Sequence, residues 1–462
     1  MSYVVQKLPR WKALMFALGQ FGWSLVSFSV ANLVNYFYFP PDVAGQPVFP
    51  IRIFQGVIIG VLTIVGLSGF AGRIFDAITD PLIAVASDRS KNRFGRRRLF
   101  LLLGALPSAL FSVLVFMPPV AGESWLNGIW LAIMLLAFYL FMTIYTIPYG
   151  ALIADLGHTA DQRLLLATLT SVTWALGFFL GNSVYGLKEL FQKTGMAAAP
   201  AFVSVVTIFA LIGLAAMLLP VLFIDERRYC RPVVSKDGLF KSLGGALGNR
   251  DFRYVLFGQF AYYAANAFLE IGIIYYVTVL MGLPENMAFT LMAVMFVASF
   301  ALYPLVIAGA RRHGKKRLMV LGFAVQALVF ALLGLTGLVP YIPTLIWGWL
   351  VILIQTIPSA ITGILAMAII ADIARADGVR SGSHREAVFS AGNALIMKVA
   401  ISTTNLVFPS LLLLGRSSDN DLGIRLTTVA GLLLCVAATV AMSRYSERRI
   451  QEDLAAEQLE LL

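Results

Sequence analysis

The chain has 462 residues, of which 59% are hydrophobic and 13% are charged, and its mean hydropathy is +0.83. Soluble globular proteins are far more polar than this, so the composition excludes the soluble classes and indicates a membrane protein with several spans. The formal net charge of +11 would also suit a nucleic-acid-binding protein. The positions of the cations along the chain give a better explanation.

Apolar stretches long enough to cross a hydrocarbon core of about 30 Å, which takes about 20 helical residues, recur twelve times along the chain. The first is too long for a signal-peptide core and is followed by no small-residue cleavage site, so we expect it to remain in the mature protein. The predicted spans cover residues 12–38, 53–86, 97–118, 126–155, 162–187, 199–224, 252–281, 285–310, 317–338, 341–372, 385–413 and 421–443.

Most of the 35 basic residues lie in loops that share one side of the membrane with both termini in this arrangement. This is the asymmetry of the positive-inside rule, so we expect a multi-pass cell-membrane protein with both termini in the cytoplasm and no nucleic-acid partner. The opposite side keeps only Arg52, Lys188, Lys193, Arg416 and Arg425.

Two further features limit the function classes. Cys230 and Cys435 are the only cysteines, so no disulfide framework or thiolate metal site is indicated. No nucleophile–base pair, glycine-rich phosphate loop or metal-ligand cluster appears in the sequence. We therefore expect neither an enzyme nor a bound cofactor.

Short motifs repeat in the same order in the two halves of the chain, which predicts duplication of a six-helix unit. The predicted halves cover residues 1–224 and 252–443, with a basic cytoplasmic linker at 225–251 and a cytoplasmic tail at 444–462. Parallel repeats of this kind build the major facilitator fold, an all-α membrane architecture of twelve transmembrane helices, with the solute site near the midplane between the halves. The matching segments are Gly95-Arg96-Arg97-Arg98-Leu99 with Gly314-Lys315-Lys316-Arg317-Leu318, Thr146-Ile147-Pro148 with Thr356-Ile357-Pro358, and Ala154-Asp155-Leu156 with Ala371-Asp372-Ile373.

The second predicted span carries three ionisable residues, Arg73, Asp76 and Asp80, in a nearly apolar context. A charged side chain at the centre of a bilayer costs about 2.5–3.5 kcal/mol on insertion scales, so such residues usually mark an ion or substrate pathway. Their spacing of i, i+3 and i+7 places all three on one face of the helix. Within the membrane the predicted charge network consists of Arg73 with Glu270 and Lys398.

Two carboxylates one helical turn apart repel, so the pair can hold a proton, a sodium ion or a basic side chain, but not all of these together. Sodium needs oxygen ligands, which Asp76, Asp80 and the Thr79 hydroxyl can supply. An alternative is that the aspartates only neutralise Arg73 and Lys398 as buried ion pairs. For Glu270, a substrate role and a cavity-facing residue with a neutral partner remain equally open.

The segment Gly72-Arg73-Ile74-Phe75-Asp76-Ala77-Ile78-Thr79-Asp80-Pro81-Leu82, continued by Ser87-Asp88-Arg89 and Phe94-Gly95-Arg96-Arg97-Arg98, closely resembles the glycoside–pentoside–hexuronide:cation symporter family. Ala371-Asp372-Ile373-Ala374 with Ser381-Gly382-Ser383-His384-Arg385-Glu386-Ala387 is similar to the family's loop between spans ten and eleven. The similarity extends over the whole chain.

The resemblance implies that Asp76, Thr79 and Asp80 bind the coupling cation, with Thr143 of span four as a further ligand, and that Lys398 is the family's lysine of span eleven. It also implies a set of charged gating residues in the cytoplasmic loops, in which the basic run 89–98 acts as an anchor and conformational latch. The predicted gating residues are Asp88, Arg89, Arg96, Arg97, Asp155, Asp372, Arg385 and Glu386.

The sequence departs from the family at its sugar-binding positions. Where the galactoside-transporting member has aspartates, this chain has Thr146 and Ser24, and Thr168 stands nearest to the family's span-five arginine. A hydroxyl cannot reproduce a carboxylate's bidentate hydrogen bonds to a diol, which argues against a galactoside substrate. The polar and aromatic candidates for a substrate cavity are Gln20, Trp23, Ser24, Ser27, Asn32, Tyr145, Thr146, Tyr149, Trp174, Tyr263, Asn266 and Gln355.

These patterns predict a secondary symporter that moves a sugar, glycoside or uronide by alternating access, coupled to sodium or alternatively to protons. A rival within transporters is the movement of a non-sugar solute such as a lysolipid or other amphiphile. A remote alternative is a non-transporting membrane sensor. The expected partners are a small-molecule solute, a monovalent cation and the lipid bilayer, with sodium the only metal and the protein monomeric.

Overall fold

The computed structural model describes residues 8–43, 45–90, 92, 94–230, 248–339, 341–381 and 386–460. The chain divides into two compact units, Met1–Ser235 and Lys236–Leu462. Most of the predicted linker 225–251 lies outside the described residues, so its boundaries stay a prediction. The predicted gating residue Arg385 also lies outside the described residues.

The first unit contains six long helices and two short ones. A two-stranded antiparallel hairpin, β1 (Asp42–Val43) and β2 (Gln46–Pro47), follows the first helix and turns at Gly45, whose φ is +78°. The helices are α1 (Arg10–Tyr38), α2 (Ile64–Arg89), α3 (Arg98–Leu114), α4 (Trp125–Leu156), α5 (Ala160–Asn182), α6 (Val184–Gln192), α7 (Ala198–Phe223) and α8 (Glu226–Tyr229).

The second unit again has six long helices, followed by a terminal one. The first of them continues into one π-helical turn, Tyr276–Leu280. The helices are α9 (Arg250–Tyr275), α10 (Asn286–His313), α11 (Lys315–Gly334), α12 (Thr344–Ser381), α13 (Glu386–Leu412), α14 (Leu422–Arg444) and α15 (Glu447–Glu460).

Each unit packs its helices in the same order, as duplication predicts. In the first unit α1 packs on α5 and α7, α3 packs on α4 and α7, and α2 packs on α4. In the second unit α9 packs on α13 and α14, α11 packs on α12 and α14, and α10 packs on α12. The internal repeat seen in three short motifs is therefore a repeat of the whole packing scheme.

Among the described residues, ten helices are both long and apolar enough to cross a membrane, and α3 is a shorter apolar helix of 17 residues. The twelfth span is α2, whose 26 residues include Arg73, Asp76 and Asp80 and are therefore less apolar. The predicted all-α membrane protein with twelve transmembrane helices is confirmed.

Several predicted boundaries are wrong for local reasons. The second span begins at Ile64 rather than at 53, because residues 51–63 form turns, including Gly60 with a φ of +59°, before Thr63 caps α2. The fifth span divides into α5 and α6 at Ser183, whose hydroxyl bonds the Leu180 carbonyl at 2.6 Å. Side-chain hydrogen bonds of this kind compete with the helical ladder, and hydropathy does not reveal them.

Candidate functional site

A glycine allows α2 to lie close to α4 at the charged segment. A Cβ atom on Gly72 would lie 2.6 Å from ring carbons of Tyr139, so only glycine leaves room for this ring. The next residue of α2 contacts the same ring. The guanidinium carbon of Arg73 lies 4.9 Å from the centroid of the Tyr139 ring. This is a cation–π contact, which is strongest where water is excluded.

One turn further along α2, three side-chain oxygens from two helices converge. The Thr143 hydroxyl of α4 donates a short hydrogen bond to Asp76 Oδ1 and lies 3.5 Å from Asp80 Oδ1. The Thr79 hydroxyl donates to the backbone carbonyl of Asp76 at 3.1 Å. Asp76 is 7% exposed and Thr143 is fully buried, so this oxygen cluster lies within the protein.

The oxygen cluster has the chemistry of a monovalent cation or proton site. The Thr143 hydroxyl has one proton and cannot donate to both carboxylates, so this hydroxyl alone does not satisfy the acidic pair. Two carboxylates one turn apart favour the binding of a cation or a proton between them. Carboxylate and hydroxyl oxygens are the ligands that hard cations prefer. Within the described part of the chain, no group of three or more His, Cys, Asp and Glu residues could hold a metal ion, so the cluster is not a multi-carboxylate metal centre.

The described contacts of Arg73 and Glu270 bear on the alternatives. Among the described residues Arg73 forms no ion pair, its buried Nε has no hydrogen-bond partner, and its described contact is the Tyr139 ring. The alternative in which the aspartates only neutralise Arg73 and Lys398 stays a prediction. Glu270 of α9 accepts a hydrogen bond from Asn266 at 2.7 Å, so it has a neutral partner. Lys398 lies on α13 of the second unit.

Three of the predicted cavity residues are buried and form hydrogen bonds within their own units. Tyr145 and Tyr149 are buried within the first unit, where their hydroxyls donate to the backbone carbonyls of Met217 at 3.0 Å and Phe16 at 2.7 Å. Gln355 is buried in the second unit, where its amide donates to Gln326 Oε1 at 2.9 Å. These hydrogen bonds hold neighbouring helices together, while Gln355 Oε1 has no hydrogen-bond partner among the described residues. That the three residues line a cavity stays a prediction.

Ser24 is also committed to packing, since its hydroxyl donates to the Trp174 carbonyl at 2.8 Å. The Nε1 of Trp23 is buried and has no hydrogen-bond partner among the described residues. Such a donor is costly unless a partner reaches it, so Trp23 is the strongest of the cavity candidates. Of the other candidates Asn32 is buried. Those that are half-buried or exposed are Gln20, Ser27, Thr146, Trp174, Tyr263 and Asn266.

The predicted gating residues meet at the end of the first unit. Arg97 is nearly buried and lies 2.6 Å from Asp155 and 3.0 Å from Asp88, while Arg96 lies 3.3 Å from Asp155. Arg89 is exposed at the end of α2. The basic run between α2 and α3 is thus bound to the end of α4, which is the arrangement a latch requires.

Glu226 also binds the group formed by Asp88, Arg96, Arg97 and Asp155, which we call the basic corner of the first unit. It is not among the residues predicted from the sequence. Its Oε1 accepts hydrogen bonds from the backbone N–H groups of Arg97 and Arg98, both at 2.7 Å, so it caps the start of α3. A carboxylate is favoured at a helix N-terminus, where free N–H groups carry partial positive charge. Burial raises the pKa of Glu226, and the backbone hydrogen bonds from Arg97 and Arg98 partly oppose that shift.

The second unit has the same corner. Lys315 Nζ lies 2.5 Å from Asp372, and Glu447 accepts from the backbone N–H groups of Lys315 at 2.7 Å and Lys316 at 3.2 Å. Gly314 precedes the helix with a φ of +89°, as Gly95 does in the first unit with a φ of +115°. Glu386, the last predicted gating residue, opens α13.

A further sequence repeat could have revealed these caps. Glu226-Arg227-Arg228 and Glu447-Arg448-Arg449 follow the last spans of the two halves. An isolated acidic residue in a basic loop carries little information by itself, and its equivalent position in the other half is what gives it meaning.

Comparison with known proteins agrees with this architecture. A symporter of Synechocystis, sll1374, is 27% identical over 55% of this chain and 48% of its own length, so the match spans about half of that relative. The glucuronide carrier protein homolog of Escherichia coli is 24% identical over 71% of this chain and 69% of its own length. The sodium-dependent lysophosphatidylcholine symporter 1-B of Danio rerio is 27% identical over 28% of this chain and 24% of its own length.

The fold is also that of a solved transporter. The crystal structure of a D-xylose-proton symporter matches with a TM-score of 0.60 at 16% identity, covering 95% of this chain and 97% of the other. The family model described as MFS/sugar transport protein matches residues 15–446. The resemblance to the glycoside–pentoside–hexuronide:cation symporters is confirmed at the level of the family. The chain belongs to the MFS/sugar transport protein family of major facilitator transporters.

Proposed function

We propose that this protein is a secondary symporter that couples transport of a sugar, glycoside or uronide to a monovalent cation, with sodium as the first candidate. The observation that carries the proposal is the convergence of Asp76, Asp80 and Thr143 oxygens in the interior of the first unit. The family and the names of several relatives, which are symporters, support the same class of function.

In the proposed cycle, a cation enters the oxygen cluster and neutralises the two carboxylates. Neutralisation removes the repulsion between Asp76 and Asp80. The protein is proposed to have two arrangements of its helices, and in one of them α2 and α4 lie close together. Because the ion binds the two arrangements with different affinity, its binding shifts their populations. Coupling follows if the solute prefers the arrangement that the cation stabilises.

Uptake by purified protein in liposomes tests the proposal, with sodium and proton gradients imposed separately. Solute accumulation driven by one gradient is expected, and Asp76→Asn should abolish it. Asp161→Asn is a matched control, because Asp161 is an exposed aspartate at the start of α5. Uptake that ignores both gradients would exclude coupling, and a fully active Asp76→Asn variant would exclude the site.

A second candidate solute is a lysolipid or other amphiphile. Ser24 and Thr146 replace the sugar-binding aspartates, and the Ser24 hydroxyl is engaged by Trp174, so neither position offers a carboxylate to a diol. The similarity to the lysophosphatidylcholine symporter covers a quarter of the chain and supports this candidate only weakly. Thermal-shift measurements with sugars, glycosides, uronates and lysophosphatidylcholine distinguish the two candidates.

We also propose that both termini face the cytoplasm and that the protein works as a monomer. The positive residues of the loops support this orientation. Accessibility of single cysteines introduced near the two ends, measured in intact cells and in inverted vesicles, tests the orientation. Mass measurement of the detergent-solubilised protein tests the monomer.

A further inference from the structure

A groove of about 630 Å³ lies on the second unit, where α9 begins and α14 ends. Its volume falls within the range of about 300–1,000 Å³ that is usual for small-molecule sites. The residues that matter for its chemistry are Arg250, Arg253, Tyr254, Phe257, Val440 and Arg444.

The rim of the groove is strongly basic. Within the described part of the chain, Arg250, Arg253 and Arg444 form no ion pair with any carboxylate. The neighbouring Asp251 is nearly buried and already engaged, since it binds Arg449 Nη1 at 3.3 Å and the backbone N–H of Ser446 at 3.0 Å. Three guanidinium groups therefore surround the groove without a counter-charge from any described residue.

One of the three guanidinium groups is held in place by an aromatic ring. Arg250 Nη2 lies 3.4 Å from the Tyr254 hydroxyl, and its guanidinium carbon lies 5.6 Å from the centre of the Tyr254 ring. Arg250 shares the lining of the groove with Arg253 and Arg444. Guanidinium groups match phosphate oxygens in geometry as well as in charge.

The rest of the groove is apolar, and it lies further along the two helices. Phe257, one turn after Arg253, is 55% exposed, and Val440, one turn before Arg444, is 47% exposed. The groove is charged at the helix ends and apolar one turn further along the helices. A lipid has the same order of polarity, with a charged headgroup followed by apolar acyl chains. Free phosphate would gain nothing from these apolar residues.

We propose that this groove binds one anionic phospholipid of the surrounding leaflet. Its phosphate is held by Arg250, Arg253 and Arg444, and an acyl chain lies against Phe257 and Val440. Basic pockets at the membrane boundary select anionic headgroups, because an uncompensated positive charge attracts a lipid with a net negative charge more strongly than a zwitterionic one. The proposal is independent of the coupling ion and of the transported solute.

Native mass spectrometry of the full-length protein in detergent tests the proposal, with phosphatidylglycerol titrated against phosphatidylcholine. One tightly retained phosphatidylglycerol is expected, and Arg253→Gln/Arg444→Gln should weaken its binding by about fivefold for each arginine removed. Arg311→Gln/Arg312→Gln is the matched control, because it removes two exposed arginines from the end of α10 in the same unit.

Three results would overturn the proposal: equal retention by the double variant and the wild type, an equal loss in the control, or equal retention of phosphatidylcholine. A further arm adds inorganic phosphate, and displacement of the lipid at equal concentration would assign the site to a free anion instead. Should the double variant fail to fold, Arg253→Gln and Arg444→Gln are tested singly, with a fivefold loss expected for each and no loss contradicting the proposal.

Discussion

The two units share their helix packing and their basic corners, but they differ in the middle of the second helix. With Gly95 aligned on Gly314, the positions of Asp76 and Asp80 correspond to Met295 and Ser299 of α10. The Ser299 hydroxyl donates to the Met295 carbonyl at 2.7 Å and lies 3.4 Å from the Thr356 carbonyl of α12, so it binds backbone carbonyls rather than an acidic partner. The duplicated features belong to the fold, and the oxygen cluster is what the first unit adds to it.

The largest expected effect comes from removing one acid of the oxygen cluster. Asp76→Asn should weaken cation binding by about 100-fold or more, because even changes to residues that only support the ligands of a metal site cost 10–100-fold. Isothermal titration with sodium, or cation-dependent uptake, measures it. Ser299→Ala, at the position that corresponds to Asp80, should leave cation binding unchanged, and a comparable loss there would contradict the difference between the units.

A smaller effect is expected from the contact that brings α2 to α4. Gly72→Ala places a Cβ atom against the Tyr139 ring and should lower stability by about 1–3 kcal/mol, the usual cost of overpacking. Gly150→Ala in α4 is the control, because a Cβ there meets nothing within 4 Å. Thermal unfolding in detergent should show a lower Tm for Gly72→Ala alone.

Removing the two helix caps tests the similarity of the units. Glu226→Ala and Glu447→Ala should each lower stability by about 0.5–2 kcal/mol, because each exposes two backbone N–H groups without an acceptor. The control Glu452→Ala breaks only an exposed pair with Arg448 and should have little effect. A large loss in one unit and none in the other would show that the corners are not equivalent.

The smallest effect concerns pH. Because the folded-state pKa of Glu226 is raised above its ordinary value of 4.5, its contribution to stability is present below pH 4.5 and is lost as the pH rises through the folded pKa. Glu226→Gln keeps an acceptor for α3 and should remove this part of the pH dependence. A Tm profile against pH that is identical for the variant and the wild type would contradict the shift.

The sequence was sufficient to predict the twelve spans and the acidic pair, because hydropathy and buried charge are local signals. The roles of Tyr145 and Tyr149 were not predictable, since an aromatic residue on an apolar helix has the same pattern whether it packs or lines a cavity. The caps Glu226 and Glu447 depend on contacts between the last and third helices of each unit. A fifth repeat, Gly19-Gln20-Phe21 with Gly258-Gln259-Phe260, was also visible in the sequence.

The cation–π contact between Arg73 and Tyr139 shows how a cation can be held at this depth without an acid. An aromatic face attracts the guanidinium through its ring electrons and carries no charge of its own. A ring on α4 thereby holds this arginine of α2 without using a carboxylate of the oxygen cluster.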